Sequence, residues 1–140
     1  MKTVTLFTLG KIREEWIKEM IQKYLKRLKT EVSFQWVQVK SENQLLAKTK
    51  EIANVYCLDA LGKLMDSEAF SQLLGLHLQE GNAKIGFIIG GPEGLSNEIK
   101  QKFPLISFSP MTFTSQITIL LLIEQIYRAF EIAKGSKYHK

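Results

Sequence analysis

The stretch KIGFIIGGPEGLS, residues 84–96, decides the fold of this chain. Residues 84–90 form an almost continuous apolar run, which is typical of a strand covered on both faces. The run ends at two adjacent glycines, Gly90 and Gly91, and a short helix is expected to begin at or just before Ser96. A buried strand that passes through a glycine-rich loop into a helix indicates an α/β fold with a largely parallel sheet.

Strand and helix patterns alternate over the rest of the chain. No repeat, linker or low-complexity tract divides it, so we expect one domain over residues 1–140. The predicted strands are 2–9, 31–39, 54–60, 84–90 and 105–109, and the predicted helices are 12–28, 42–53, 66–79, 96–102 and 114–134.

Composition and length are those of an ordinary globular protein. Of 140 residues, 45% are hydrophobic and 24% charged, enough for a core without disulfides or metal. The single cysteine, Cys57, lies in an apolar run and is expected to be a buried residue of a cytosolic protein. The first residues lack the features of a signal peptide, and the longest apolar run, 117–123, is too short to cross a membrane. We therefore expect a cytoplasmic protein with no membrane partner.

The charge of the chain is compatible with a polyanionic partner. The formal net charge is +5, and basic residues concentrate in residues 11–29 and 128–140. Such an excess suits RNA contact, but a solvated helix face or chain end explains it equally well. Charge alone leaves the two interpretations open.

Three loops are expected to meet at one crevice. In parallel sheets, ligands bind outside the carboxyl ends of the strands, and residues 58–63, 90–96 and 107–115 follow such ends. No phosphate-binding glycine motif is present, so a phosphate cradle is not predicted. Glycine positions without side chains instead favour a flat, largely uncharged group such as a purine, and the plain alternative is a tight turn at Gly91 and Pro92.

Familiar catalytic sets are absent from the sequence. The only histidines are His77, expected to pack within a helix, and His139. One cysteine and two distant histidines cannot form a typical structural zinc site, so no metal is expected. Positioning of substrates and a bound cofactor must therefore carry any chemistry.

Five segments then occur together in a specific order. They are LDALGK (58–63), IIGGPEGLS (88–96), SFSPMTFT (107–114), LLLIEQIYRAF (120–130) and GSKYHK (135–140). Together they resemble the family of ribosomal RNA large subunit methyltransferase H, over essentially the whole chain. The resemblance implies a SPOUT-type, trefoil-knotted α/β domain with a mostly parallel sheet flanked by helices. It implies a homodimer that uses S-adenosylmethionine to methylate N3 of a pseudouridine in 23S rRNA on the ribosome.

The same resemblance implies the residues of the site. Tyr138, His139 and Lys140 are the catalytic candidates and are expected to reach the cofactor site of the partner subunit; a disordered chain end is the alternative. Arg128 is expected to hold an RNA phosphate or to brace the dimer. Cofactor-binding residues come from all three loops: Leu58, Gly90, Phe108, Ser109, Pro110, Met111, Thr112 and Phe113.

The last predicted helix bears on the oligomeric state and on the match to the family. Its apolar face over residues 117–133 is broader than one sheet requires, which agrees with a dimer, although a central core helix is the alternative. Two positions depart from the family pattern: Ser115, where a histidine is usual, and Ile119, where an arginine is frequent.

Two other functions stay open, a SPOUT methyltransferase with another RNA target and a catalytically silent ribosome-binding module.

Overall fold

Five strands and five helices alternate along the chain in the computed structural model, which describes residues 1–140. Four helices begin within one residue of their predicted starts because polar side chains cap them; Asp66 and Ser96, for example, accept hydrogen bonds from the backbone N–H groups of Ala69 and Ile99. The first helix, predicted from residue 12, begins at Glu15 without a side-chain cap. The elements are β1 (Thr3–Leu9), α1 (Glu15–Leu28), β2 (Ser33–Val39), α2 (Glu42–Thr49), β3 (Val55–Leu64), α3 (Ser67–His77), β4 (Lys84–Ile89), α4 (Asn97–Lys102), β5 (Leu105–Ser107) and α5 (Ser115–Lys134).

The strands form one sheet in the order β2-β1-β4-β3-β5, and every pair is parallel. Neighbouring residues of a strand point to opposite faces, so Phe87 packs into the core beneath α1, α3 and α5, and Ile88 into the core beneath α2 and α4. Both faces of the sheet are therefore covered by helices. The predicted α/β class and parallel sheet are confirmed.

Strand β3 is longer than the sequence predicts. We expected it to end at residue 60, in an open loop that begins at Leu58, but the strand continues to Leu64. Leu58 and Lys63 are both partners of Ile106 in β5. A Cβ atom added at Gly62 would lie 2.6 Å from the carbonyl carbon of Leu105, so residues 59–62 bend tightly against β5. The strand prediction was wrong at this end because the partner, β5, lies more than 40 residues further along the chain.

Helix α5 is buried along only part of its apolar face. Ile123 and Ile126 are fully enclosed in the core, whereas Tyr127 and Phe130 are half-buried and Ile117 is exposed. The helix ends at Gly135, which adopts the left-handed conformation common at such ends. None of the helices combines the length and apolar character needed to cross a membrane.

Candidate active site

A cleft of about 820 Å³ opens at the carboxyl edge of the sheet. The three loops predicted to converge there form most of its wall, and the first turns of α5 complete it with Ser115, Gln116 and Leu121. The eight residues predicted to bind the cofactor all line this cleft, and their roles as ligands stay a prediction. They are Leu58, Gly90, Phe108, Ser109, Pro110, Met111, Thr112 and Phe113.

The glycine loop after β4 is a tight turn packed on its own protein backbone. The Gly94 N–H donates to the Gly91 carbonyl at 2.9 Å, and Gly94 has a φ of +74°, which glycine adopts without strain. A Cβ atom at Gly91 would lie 2.6 Å from the carbonyl oxygen of Leu9 in β1. A Cβ atom at Gly90 would lie 3.0 Å from the side chain of Leu95. Packing of the chain on itself is therefore a sufficient reason for these bare positions, and room for a purine beside them stays a prediction; both glycines line the cleft.

The loop after β5 is fixed by serine side chains. The Ser107 hydroxyl donates to the Ser109 carbonyl at 2.7 Å, and the Ser109 hydroxyl accepts from the Met111 N–H at 3.0 Å. These local bonds form consecutive turns of the kind that serine favours. Phe108 packs edge-on against Phe70, with 5.2 Å between ring centroids. The loop thus has a fixed base, while the Met111 side chain stays 72% exposed at the rim.

One ion pair lies in the cleft, and sequence reasoning missed it. Lys100 of α4 contacts the Asp59 carboxylate at 2.9 Å, and the Leu61 N–H donates to the same carboxylate at 2.9 Å. Burial alone would raise the pKa of Asp59, but the hydrogen bonds and the charge of Lys100 outweigh it and lower the pKa. Asp59 stands at the end of the predicted strand, which is the only sequence signal for its place in the site.

The buried cysteine beneath this pair is chemically quiet. Cys57 is fully buried, and burial together with the charge of Asp59 raises its pKa to about 12. The thiol stays protonated at neutral pH and is not a nucleophile. No group of three or more His, Cys, Asp and Glu side chains is arranged to hold a metal ion.

The C-terminal segment, residues 136–140, packs on the helices outside the cleft. The Tyr138 hydroxyl donates to Glu124 at 2.7 Å and lies 3.3 Å from the Tyr24 hydroxyl. Arg128 donates to the same Glu124 carboxylate at 2.9 Å and lies 4.8 Å from the centre of the Tyr138 ring. Burial first, and then these hydrogen bonds, raise the pKa of Tyr138 above its usual value. Tyr138 is therefore a neutral hydrogen-bond donor and not a phenolate base.

His139 is held between a cation and a carboxylate. Its Nδ1 atom lies 3.0 Å from Arg128 Nη1, and its Nε2 atom lies 2.8 Å from Glu68 Oε1. A guanidinium only donates, so Nδ1 accepts and Nε2 carries the proton given to Glu68. The hydrogen bond from His139 is also the main cause of the lowered pKa of Glu68.

The predicted catalytic residues and the cleft do not meet within one chain. Tyr138, His139 and Lys140 are all absent from the cleft wall, and Lys140 is exposed to solvent. Arg128, expected to hold an RNA phosphate or brace a dimer, is bonded to Glu124 and His139 of its own chain. Within one chain, the predicted site residues therefore form two separate groups: the cofactor candidates in the cleft and the catalytic candidates in the C-terminal segment.

The remaining sequence features have local explanations. Ser115, at the start of α5, lines the cleft, whereas Ile119 lies in the core and is 4% exposed. An apolar residue suits that enclosed position. His77 lies 2.7 Å from the Tyr56 hydroxyl and packs against the Tyr56 ring, as expected for a helix-packing residue.

The fold and the cleft define the class of the protein once they are compared with known proteins. Residues 1–139 match the family model described as "Predicted SPOUT methyltransferase". The probable methylase family protein from Haemophilus influenzae Rd KW20 has the same fold, with a TM-score of 0.62 at 12% identity, over 99% of this chain and 70% of that one. The fold class is that of the SPOUT methyltransferases, as predicted.

Two relatives identify the family within this class. Ribosomal RNA large subunit methyltransferase H of Protochlamydia amoebophila (strain UWE25) is 43% identical over 140 residues and 100% of both chains. The protein of the same name from Carboxydothermus hydrogenoformans (strain ATCC BAA-161 / DSM 6008 / Z-2901) is 36% identical over 157 residues, covering 98% of this chain and 99% of its own. The chain therefore belongs to the family of ribosomal RNA large subunit methyltransferase H, which confirms the resemblance.

Proposed function

We propose that residues 1–140 act as one cytoplasmic SPOUT domain that transfers a methyl group from S-adenosylmethionine to N3 of a pseudouridine in 23S rRNA on the ribosome. The observation that carries the proposal is the cleft at the carboxyl edge of the sheet, where all eight predicted cofactor residues meet. The full-length similarity to two rRNA large subunit methyltransferases supports the choice of RNA.

The charge of the cleft fits this cofactor. Asp59 and Lys100 are the only charged side chains that line it, and they are paired with each other. A ligand with several phosphates would find no free cation there, whereas a nucleoside with a short amino-acid tail needs none. Leu58, Gly90 and the loop 108–113 would hold it. When bound, S-adenosylmethionine supplies a methyl group already activated by its sulfonium.

We propose that the chain is knotted as the resemblance implies; in the structure, β5 pairs with β3 at two points. Ile106 is the partner of both Leu58 and Lys63, so residues 58–64 lie on β5 at two points of their course. This double contact fixes two walls of the cleft, the segment 58–63 and the loop after β5, relative to each other. Such fixed walls hold reacting groups in line without a moving lid.

A homodimer would bring the two groups of predicted site residues together. The half-buried Tyr127 and Phe130 and the exposed Ile117 leave part of the apolar face of α5 uncovered, as an interface between copies requires. The C-terminal segment packs beside that face and outside its own cleft. In the proposed dimer, this segment of one subunit faces the cleft of its partner.

The residues of the segment divide the chemistry among them. The N3 imide must lose its proton to solvent before it can attack, so a positive field near the forming anion lowers the barrier. Tyr138 and His139 are fixed by hydrogen bonds to Glu124, Arg128 and Glu68 and orient the segment. Lys140, exposed and in none of the ion pairs of the chain, supplies the charge that stabilises the anion.

The reaction itself is tested by mapping the transferred methyl group. Ribosomes from a strain without this gene are incubated with the protein and methyl-labelled S-adenosylmethionine, and the rRNA is digested and analysed by mass spectrometry. Label on N3 of one pseudouridine in 23S rRNA is the expected result. Label on another nucleotide would favour the other RNA target, and ribosome binding without cofactor binding or label would favour the silent module.

The arrangement across two subunits is tested by mixing two inactive variants. Gly90→Val places a side chain against Leu95 in the loop 90–96. A Cβ atom at Gly90 would already lie 3.0 Å from the Leu95 side chain, so this variant should abolish cofactor binding. Deletion of residues 138–140 should spare cofactor binding and stop transfer. Random pairing of the two makes heterodimers with one intact cleft facing one intact segment, so roughly a quarter of the wild-type activity should return. Each variant is first checked for folding by its urea midpoint, with Thr112→Trp as a second cleft variant.

A mixture without activity would contradict the arrangement across two subunits. If the segment served the cleft of its own chain, no heterodimer would hold an intact pair, and the mixture would stay as inactive as its parents. Full activity of the deletion variant by itself would remove the segment from the mechanism.

A further inference from the structure

A second hollow, of about 240 Å³, lies between α1 and β2 on the outer edge of the sheet. Its floor is apolar and its rim is basic and amide-bearing, and no carboxylate lines it. It shares no residue with the cleft. This basic hollow is lined by Lys11, Ile12, Lys18, Ile21, Gln22, Trp36 and Gln38.

The two lysines of the basic hollow lack firm counter-charges. Lys11 is exposed and takes part in no ion pair of the chain. Lys18 contacts only Glu15, at 3.4 Å, and the Glu15 side chain is 79% exposed. Exposed pairs of this kind contribute little and are easily exchanged for a stronger anion. Two available ammonium groups beside a concave surface are suited to a phosphate.

Trp36 gives the basic hollow a fixed aromatic wall. Its indole N–H donates to the Thr8 hydroxyl at 2.9 Å, which fixes the orientation of the ring. The side chain is only half-buried and lines the hollow. An aromatic side chain next to cations is the combination that binds single-stranded nucleic acid, since a base or ribose packs on the ring while the phosphate meets the cations.

The position of the basic hollow relates it to the cleft. Both lie at the carboxyl side of the same sheet, the hollow beside β2 and β1 and the cleft at the ends of β4, β3 and β5. Neighbouring strands are about 5 Å apart, so the two lie on the order of 10 Å from each other. The loop between them is anchored to the cleft wall, because Gln116 accepts from the N–H groups of Arg13 and Glu14 at 2.9 and 3.1 Å.

We infer that the basic hollow is a second RNA subsite: Lys11 and Lys18 bind a backbone phosphate, and Trp36 packs on the adjoining base or ribose. The nucleotide bound there belongs to the same RNA strand as the target nucleotide in the cleft. This inference rests on the proposed function, since it assumes an RNA substrate. It assigns a role to Lys11 and Lys18 in the basic stretch 11–29, which charge alone left open.

Charge-neutral variants test the phosphate contact. The double variant Lys11→Gln, Lys18→Gln is compared with the matched control Lys48→Gln, Lys50→Gln, which removes two exposed lysines at the end of α2, on the opposite face of the sheet. The KM for ribosomes is measured between about 50 and 200 mM salt at constant magnesium. The first double variant should raise the KM about tenfold and lower the salt slope by about 0.7 to 0.9, the value for one phosphate, with cofactor affinity unchanged.

A third variant separates packing from charge. Trp36→Leu should raise the KM at least about fivefold without changing the salt slope, because it removes a ring and no charge. Its urea midpoint is compared with that of Trp16→Phe, which alters the exposed tryptophan of α1 outside the hollow. If Trp36→Leu does not fold, the lysine pair decides the question.

The outcomes distinguish the subsite from the proposed function. A wild-type KM in the Lys11, Lys18 variant, or an equal loss in the Lys48, Lys50 control, would overturn the subsite while methylation of rRNA stands. Absence of any rRNA methylation by the wild-type protein would overturn the proposed function and the subsite with it. Competition of ribosome binding by an acidic peptide but not by RNA oligonucleotides would assign the hollow to a protein partner and overturn the RNA contact.

Discussion

The cleft and the docked C-terminal segment are built by opposite means. The cleft wall consists of tight backbone turns with apolar and uncharged polar side chains, and its one ion pair, Asp59 with Lys100, is closed on itself. The segment is held by a connected set of charged and polar groups, in which Glu124 and Arg128 each bond to two partners or more. One region depends on shape, and the other depends on charge.

This difference indicates how the chemistry is divided. A ligand whose methyl group is already activated needs to be bent, oriented and shielded from water, which close-packed turns do well. The anion left on the imide must be stabilised by polar groups of fixed orientation, a role that we propose for the segment. Because the two regions lie apart within one chain, we propose that activity is a property of a dimer, and each region can be disturbed while the other stays intact.

The largest effect is expected where the shape of the cleft depends on contact with β5. A Cβ atom at Gly62 would lie 2.6 to 2.8 Å from three backbone atoms of Leu105 and Ile106, and backbone cannot move aside as a side chain can. Gly62→Ala should therefore lower the free energy of unfolding by about 3 kcal/mol. Urea denaturation measures the loss.

Gly75→Ala is the matched control for that variant. A Cβ atom there meets nothing within 4 Å, and the residue lies inside α3, where alanine is favoured over glycine by up to about 1 kcal/mol. The control should be neutral or stabilised. Equal stability of the two variants would show that the contact of residues 59–62 with β5 is looser than the structure has it.

A smaller effect is expected from Glu124→Gln in the docked segment. The change removes the charge that accepts from both Tyr138 and Arg128, and the side chains of Glu124 and Arg128 are only 18% and 24% exposed. We expect a loss of about 2 kcal/mol in stability and a lower kcat. Cofactor affinity, measured by calorimetry, should stay unchanged because Glu124 does not line the cleft.

Glu98→Gln controls for the loss of one carboxylate. Glu98 is exposed on α4 and has no ion-pair partner, so its variant should match the wild type in stability and kcat. A Glu124→Gln variant with weakened cofactor binding would contradict the separation of the two regions.

The sequence predicted the elements and the cleft residues well because local signals specify them. Apolar runs, glycines and caps such as Asp66 act within a few residues, and the parallel order then places the three loops at one edge. What it missed joins distant parts of the chain. The return of β3 onto β5, the contact of Gly91 with Leu9, and the pair of Asp59 with Lys100 depend on neighbours that no local pattern specifies.

The smallest expected effect concerns the ion pair of the cleft and disappears in acid. The folded protein lowers the pKa of Asp59, so the stabilisation is fully present above the ordinary pKa of 3.8 and is lost as the pH falls through the lower folded value. Asp59→Asn should lose about 1 kcal/mol at pH 7 and approach the wild type in stability below pH 3, approximately.

Denaturation curves between neutral pH and about pH 2.5 measure this difference, with Glu93→Gln as a control for an exposed carboxylate of a cleft loop that forms no ion pair. The gap between wild type and Asp59→Asn should close as the solution becomes more acidic, whereas the control should follow the wild type throughout. A gap that stays constant with pH would mean that Asp59 acts through packing and its bond to the Leu61 N–H rather than through charge. The cleft would then depend on shape alone, and its contrast with the charged segment would be sharper still.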